Sequence, residues 1–371
     1  MSSQGNVSAR DGGLLKVLLI FLGVVVSLAG FAWYLLQVKK PVFERRLYEA
    51  VMSDDLESFQ YYQRLGADWK AAVKEYEEHA MVTWVAEHGA LKIFQHLLPE
   101  GYDIEFVSHL GLTPLFVAAN KGHDELACAL LDAGALPMRN YRYRDTENED
   151  TIVLRDQHVF HLAAESGLLA TSEKLVKLGV DVDVENGVGL SPLCYAAVQG
   201  HTSLVKRLLE LGANADHPAS PLKFAIIRNH REVAELLLES GANPNSLEDR
   251  FHKVLSLAEA NGAGYYARYE DLGFVKPWMK HPLTMAVETK NLALVELLIR
   301  HGAEVHYATE RGNTALHLAA YRENKDIIEL LLRNGSNKEA FNEGDLTPYG
   351  VAFGRNRNDL GELIREYSQT D

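Results

Sequence analysis

Cysteine is scarce in this chain: its 371 residues include two, Cys128 and Cys194. A disulfide framework is therefore excluded, and neither thiol sits in the paired spacing that a structural zinc ion needs. Positive charge is also short, with 37 Lys and Arg against 51 Asp and Glu and a formal net charge of -14. Such a field repels phosphate backbones, so nucleic acid is not an expected partner. Catalytic signatures are missing too. No G-x-S-x-G elbow, H-E-x-x-H pair, phosphate-cradling loop or dinucleotide glycine pattern occurs, and the G-A-G at Gly262 to Gly264 stands alone. No enzyme activity and no cofactor are expected.

Long apolar runs are rare as well, but one exists. Val17 to Leu36 are 20 residues without a charge, and at ~1.5 Å per residue a helix of that length crosses a hydrocarbon core of ~30 Å. Trp33 and Tyr34 stand where an interfacial belt would lie. Lys39, Lys40, Arg45 and Arg46 follow the run, against Arg10 and Lys16 before it, which places the carboxy-terminal side in the cytoplasm. The reading is a tail over 1–16, a transmembrane helix over 17–36, and a single-pass protein of the cell (inner) membrane. The alternative is an export signal with Ser27-Leu28-Ala29 near its cleavage site, which would put the domain in the periplasm or outside the cell. Gly23, Ser27 and Gly30 form a small-residue stripe, a weak motif for homodimerisation through the membrane helix.

Beyond residue 41 one phrase recurs. It reads TPLFVAA at Thr113, SPLCYAA at Ser191, SPLKFAI at Ser220, HPLTMAV at His281, TALHLAA at Thr314 and TPYGVAF at Thr347, with a weaker HVFHLAA at His158. In all but the last a glycine follows 21 residues after the phrase begins: Gly134, Gly179, Gly212, Gly241, Gly302 and Gly335. Arg45 reaches Gly66 at the same interval, and Met81 reaches Gly101 one residue early. Thr or Ser is a favoured N-cap and Pro suits the first helical position, so each phrase opens a helix. The Ala pair keeps that helix thin. A second helix follows with apolar residues at i, i+3 and i+4, and glycine ends it in the left-handed conformation. Each unit is a helical hairpin too small to bury its own apolar face, so neighbours must stack. Cys128 and Cys194 fall on such packed helices and are read as apolar filler.

With TALHLAAYRENKDIIELLLRNGSNKE and SPLCYAAVQGHTSLVKRLLELGANAD on the page, the chain resembles the ankyrin repeat family in its TPLH-type opening, G-H turn and GA(N/D) ending. The resemblance covers roughly 45 to 367 and implies an all-α ankyrin-repeat solenoid of about nine helix-hairpin units, here preceded by the transmembrane helix. It also implies that the chain binds another protein, whose identity it does not give. In that family the groove is lined by the two residues after the Ala pair. Here these are Asn120 and Lys121, Glu165 and Ser166, Val198 and Gln199, Ile227 and Arg228, Glu288 and Thr289, and Tyr321 and Arg322. His158, His161 and Glu165 share a helix face and would be an incomplete metal set. His161 stands at the family's TPLH histidine, which implies a bond to loop backbone, and no metal site is expected.

Phrase starts at 45, 81, 113, 158, 191, 220, 281, 314 and 347 are spaced 36, 32, 45, 33, 29, 61, 33 and 33. The two long intervals mark insertions near 138–157 and 246–280 within a repeat domain over 41–371. The first carries Arg139, Tyr141, Arg142, Tyr143 and Arg144; the second carries Tyr265, Tyr266, Tyr269, Phe274 and Trp278 and is read as a short helix and a loop. Tyr, Trp and Arg dominate interface hot spots, and insertions in repeat arrays often map to the binding face. The other reading of these aromatics is that they pack back onto the solenoid. The expected function is a membrane-anchored scaffold or adaptor. The alternative is an immunity or inhibitor protein that occludes a toxin or lipolytic enzyme near the membrane, its acidic surface steering a basic target.

Overall fold

The computed structural model describes residues 40–70, 81–108, 111–137, 158–187, 189–247 and 281–368. The chain divides into two compact units, 1–103 and 104–371. In the first, helices α1 (Lys40–Met52), α2 (Leu56–Arg64), α3 (Met81–His88) and α4 (Leu91–Leu97) form two hairpins. α1 packs on α3 and α2 on α4, around Leu47, Val51, Phe59, Val85, Ile93 and Leu97, none of which reaches solvent.

The second unit repeats this arrangement seven times. Its inner helices are α5 (Pro114–Lys121), α7 (Val159–Glu165), α9 (Pro192–Gln199), α11 (Pro221–Ile227), α13 (Pro282–Glu288), α15 (Ala315–Tyr321) and α17 (Pro348–Gly354). Each is followed by its outer helix: α6 (Asp124–Asp132), α8 (Leu169–Lys177), α10 (Thr202–Glu210), α12 (Arg231–Glu239), α14 (Leu292–Arg300), α16 (Lys325–Arg333) and α18 (Asn358–Glu366). Every inner helix packs on the next, α5 on α7 and α11 on α13 included. The stack thus continues from one side of each long interval to the other. The inner helices other than the last, α17, are largely buried, which the Ala pairs permit: Ala118, Ala119, Ala163, Ala164, Ala196, Ala197, Ala319 and Ala320 are fully enclosed.

One expectation is corrected. No helix among the described residues is long and apolar enough to cross a membrane. The longest, α1, has 13 residues, or ~20 Å against the ~30 Å a crossing needs. The run over 17–36 lies outside the described residues. Over the described residues the fold class is accordingly an all-α repeat solenoid, and neither the transmembrane helix nor the single-pass localisation is supported.

The hairpin ends follow from local chemistry. The glycines at the 21-residue interval are left-handed, from φ +82 at Gly335 to φ +98 at Gly134, as is Gly101 at φ +91. Thr113, Thr314 and Thr347 cap their helices through the side chain. Ser191 and Ser220 do not. The interval before Ser220 is four residues shorter than the one preceding it, and Ser220 takes a left-handed φ of +57. His158 and His281 act as caps, their Nδ1 atoms accepting from the N–H of Phe160 and Leu283 at 3.0 and 3.2 Å.

A second left-handed position recurs ten residues into each phrase, counting its first: Asp54, Gly89 (nine in, in the irregular unit), Gly122, Gly167, Gly200, Asn229, Lys290, Glu323 and Asn356. Glycine is the low-energy choice there, and each other residue costs on the order of 1 kcal/mol. At Gly200 a Cβ would also meet the His230 ring at 2.6 Å.

Bonds from one hairpin complete the next. α4 and α8 have no cap of their own. Asp54 of the preceding hairpin accepts from the N–H of Lys92 and Ile93, and Asp124 accepts from the N–H of Ala170 and Thr171 at 3.1 and 2.8 Å. Along the loops, Asp183 accepts from the N–H of Asn214, Asp216 from Asn243 and Asn245 from Glu304. His201 and His230 reach back to the carbonyls of Glu165 and Val198 at 2.8 and 3.1 Å. Cys194 is buried, its thiol pushed up to about 12 by burial; Cys128 is half-buried and also raised, chiefly by burial.

Replacing Asp124 with Ala uncaps α8 and is expected to cost roughly 1–2 kcal/mol in urea unfolding; an unchanged midpoint would show that the inter-hairpin cap contributes nothing. Burial holds the imidazoles of His158, His161 and His281 down at about 4. The unfolded chain, with histidine near 6.5, takes up their protons first. Stability from these groups is complete above about pH 6.5 and is lost as pH falls toward 4, on the order of 3 kcal/mol for one such histidine. Tm is expected to fall between pH 7 and 4, and less steeply in His281→Asn; identical slopes would refute the assignment.

Candidate protein-binding groove

The sequence-predicted groove residues end the inner helices, and the structure separates them by exposure. Asn120 and Lys121 are exposed, Gln199 is half-buried, and Val198 is 2% exposed. The Val198 carbonyl accepts from the His230 ring. Glu165, Ser166, Ile227, Arg228, Glu288 and Thr289 are all intermediate. Tyr321 is the one large exposed ring of the set, 47% accessible. Arg139, Tyr141, Arg142, Tyr143, Arg144, Tyr265, Tyr266, Tyr269, Phe274 and Trp278 lie outside the described residues.

Around Tyr321 the structure assembles a site of which sequence reading found half. The Arg355 guanidinium lies 4.5 Å from the ring centroid and that of Arg322 5.7 Å away, both within cation–π range. Arg322 Nε donates to Glu288 Oε2 at 2.6 Å. Arg355 donates through Nε and Nη2 to Glu323 Oε1 at 3.2 and 3.1 Å. Arg357 Nη1 donates to the other oxygen of Glu323 at 2.6 Å, and its Nε and Nη2 form a fork on Asp359. The hydrogen bonds from Arg357 and Arg355 hold the Glu323 carboxyl below its ordinary range, and Arg357 does the same to Asp359. Tyr321 is thus fixed in place by charges that are fixed in turn.

Beside it runs a groove of about 440 Å³ between the inner helices and the loop tips, with Leu318, Leu346 and Val351 in its walls and Arg311, Asn313 and Asn342 on the loop side. The loops are tied to each other by the Glu343 N–H on the Arg311 carbonyl at 3.0 Å and the Asn342 amide on Asn313 at 2.9 Å. His317 ties helix to loop: its Nδ1 accepts from the Thr314 N–H and its Nε2 donates to the Leu346 carbonyl at 3.0 Å. A shallower depression of about 360 Å³ adjoins, lined by Lys290, Tyr321, Arg322, Glu323, Arg355 and Arg357.

Arg355 has the register of Arg322 one unit on, so extending the two-residues-after-the-pair rule to the last phrase would have found it. Lys290 occupies the left-handed turn position that glycine fills in four of the nine hairpins, and no such rule points there. The arrangement offers shape, apolar contact and hydrogen-bond donors. His317, the groove's one imidazole, has both nitrogens engaged. His161 is engaged likewise, accepting from the His158 N–H and donating to the Val184 and Leu190 carbonyls at 2.9 and 3.1 Å. It has no lone pair left for a metal, and its role is the loop bond that its motif position implied. Among the described residues no group of three His, Cys, Asp or Glu is placed to hold an ion.

Comparison with known proteins gives a family-model match to ankyrin repeats (3 copies) over residues 47–142, 160–248 and 256–362. The chain is 31% identical over 108 residues to "Protein fem-1 homolog A-like" of Mus musculus, covering 29% of this chain and 14% of that protein. It is 30% identical over 117 residues to "Ankyrin repeat, SAM and basic leucine zipper domain-containing protein 1" of Gorilla gorilla gorilla, covering 32% and 23%. The matched stretches span less than a quarter of either relative. The crystal structure of the human ASB11 ankyrin repeat domain superposes with a TM-score of 0.53 at 24% identity, covering 70% of this chain and 100% of that one, a likeness of fold. Ankyrin repeats bind other proteins and are generally not enzymes. The recurrent phrase, the stacked hairpins and a family match over most of the length agree: this chain belongs to the ankyrin repeat family.

Proposed function

We propose that this protein is an adaptor that holds a partner protein in the groove beside Tyr321. The observation that carries the reading is the half-exposed Tyr321 ring under Arg355, next to open apolar walls. Tyrosine and arginine are the residue types that concentrate binding energy at interfaces, and a ring already held in place loses little entropy on docking. Arg322 is held as firmly, by Glu288. Asn120, Lys121 and Gln199, at the same register in earlier hairpins, would form a polar rim for a longer partner. Arg139, Tyr141, Arg142, Tyr143 and Arg144, with Tyr265, Tyr266, Tyr269 and Trp278, are proposed as further contacts on the two insertions, on the strength of their composition alone.

Quantitative interaction proteomics with the full chain as bait tests this. Tyr321→Ala is expected to reduce recovery of the dedicated partner about tenfold, the effect of one hot-spot residue, whereas Tyr61→Ala, an exposed tyrosine of the other unit, leaves it unchanged. Both variants should unfold within about 1 kcal/mol of the parent, since each ring is a surface group. Equal recovery from Tyr321→Ala and the parent would refute the groove as the site.

A further inference from the structure

The groove carries a charge opposite to that of the chain. Lys290, Arg311, Arg322, Arg355 and Arg357 line it or its adjoining depression against Glu288 and Glu323. Arg311 has an interaction of its own; the other four cations less two carboxylates leave a surplus of two, or one when Asp359, bound to Arg357, is counted. Glu343 and Asp345 belong to the loop outside this lining. The whole chain, by contrast, is at -14.

A second observation concerns the backbone at two of these residues. Lys290 and Glu323 stand at the left-handed turn position, with φ +57 and +58, where Gly122, Gly167 and Gly200 serve earlier hairpins. Backbone strain of this kind persists where something else is gained. Asp54 gains a cap on the next hairpin, Asn229 a bond from Asn291, and Glu323 its two arginines. Among the described residues Lys290 gains none of these and its ammonium has no ion pair; unlike Asn356 at the same turn position, whose short amide side chain tolerates the left-handed region, it has no intrinsic preference for the turn, and it lines the depression beside Tyr321. Arg355 likewise spends Nε and Nη2 on Glu323, and a guanidinium has a further nitrogen to donate from.

From these we infer that the groove recognises a short acidic segment of the partner protein, an apolar side chain against Leu318, Leu346 and Val351 flanked by carboxylates that meet Lys290 and Arg355. The inference rests on the groove reading above and names its ligand class. Attraction at this rim draws the partner's acidic segment to one end of an otherwise repelling chain, so charge fixes the register as well as the rate of docking.

The test is selection of random dodecapeptides by display on the full chain, with affinities measured for the parent, Lys290→Gly and Tyr321→Ala. Lys290→Gly restores the glycine of the earlier hairpins, so it is expected to melt at or above the parent temperature while losing a charge. The selected peptides should be enriched in Asp and Glu, bind about tenfold more weakly to Lys290→Gly, and weaken further as salt rises. Peptides that need Tyr321 but are neutral or basic, or that bind Lys290→Gly as well as the parent, would overturn the acidic assignment and leave the groove reading standing. An absence of any peptide that needs Tyr321 would overturn both. Lys290-dependent binding to phosphatidylserine vesicles in place of peptides would overturn it in favour of a lipid surface.

Discussion

Everything in this fold depends on the fact that a hairpin of two short helices cannot finish itself. The seven to nine residues of every described α-helix but α1 bury too little apolar surface to offset the entropy of ordering them. The shortfall is met by the neighbour in three ways. Ala pairs let inner helices approach until both are enclosed. Asp54 and Asp124 cap the outer helix of the next hairpin, and His201 and His230 take up carbonyls of the one before. Stability is therefore distributed over junctions, and a lost side chain is felt one hairpin away from where it sits.

The same economy leaves the site where it is. Interior hairpins spend their loop residues on stitching, whereas α15 and α17 carry residues that serve no junction or serve it only in part. Tyr321 stays open, and Arg355, Arg357 and Glu323 form a network across two hairpins that fixes a ring and leaves donors facing outward. Lys290 accepts backbone strain with no ion pair in return among the described residues. A lysine held at a left-handed position, where glycine, Asn or Asp would be less strained, is the kind of local cost that functional sites carry.

Much of the fold was legible because its rules are local and repeat. The recurrent opening phrase and the glycine 21 residues later located most of the hairpins, the first two being found from the glycine interval and the last from the phrase alone, since a cap, a fixed proline φ and a left-handed turn each act within a few residues. Histidine caps at His158 and His281 were not legible, because imidazole is not an ordinary capping group and works here only once burial holds it neutral. The apolar run over 17–36 suggested a spanning helix that the described structure does not contain. Of the site, Tyr321 and Arg322 were found by register. Arg355 and Lys290 were not, and neither was the sign of the groove: net charge sums scattered surface groups, whereas the groove's charge is set by which arginines converge across hairpins. The acidic total pointed to a basic partner, and the lining residues point the other way.

Site-specific photocrosslinking in the native cell addresses the central claim most directly, with benzoylphenylalanine placed in turn at position 321 in the groove and at position 206 on the exposed outer face. The account predicts that position 321 captures a partner through an acidic stretch of its sequence and that position 206 captures nothing in common with it. Capture of the same partner from position 206 and not from 321 would contradict it.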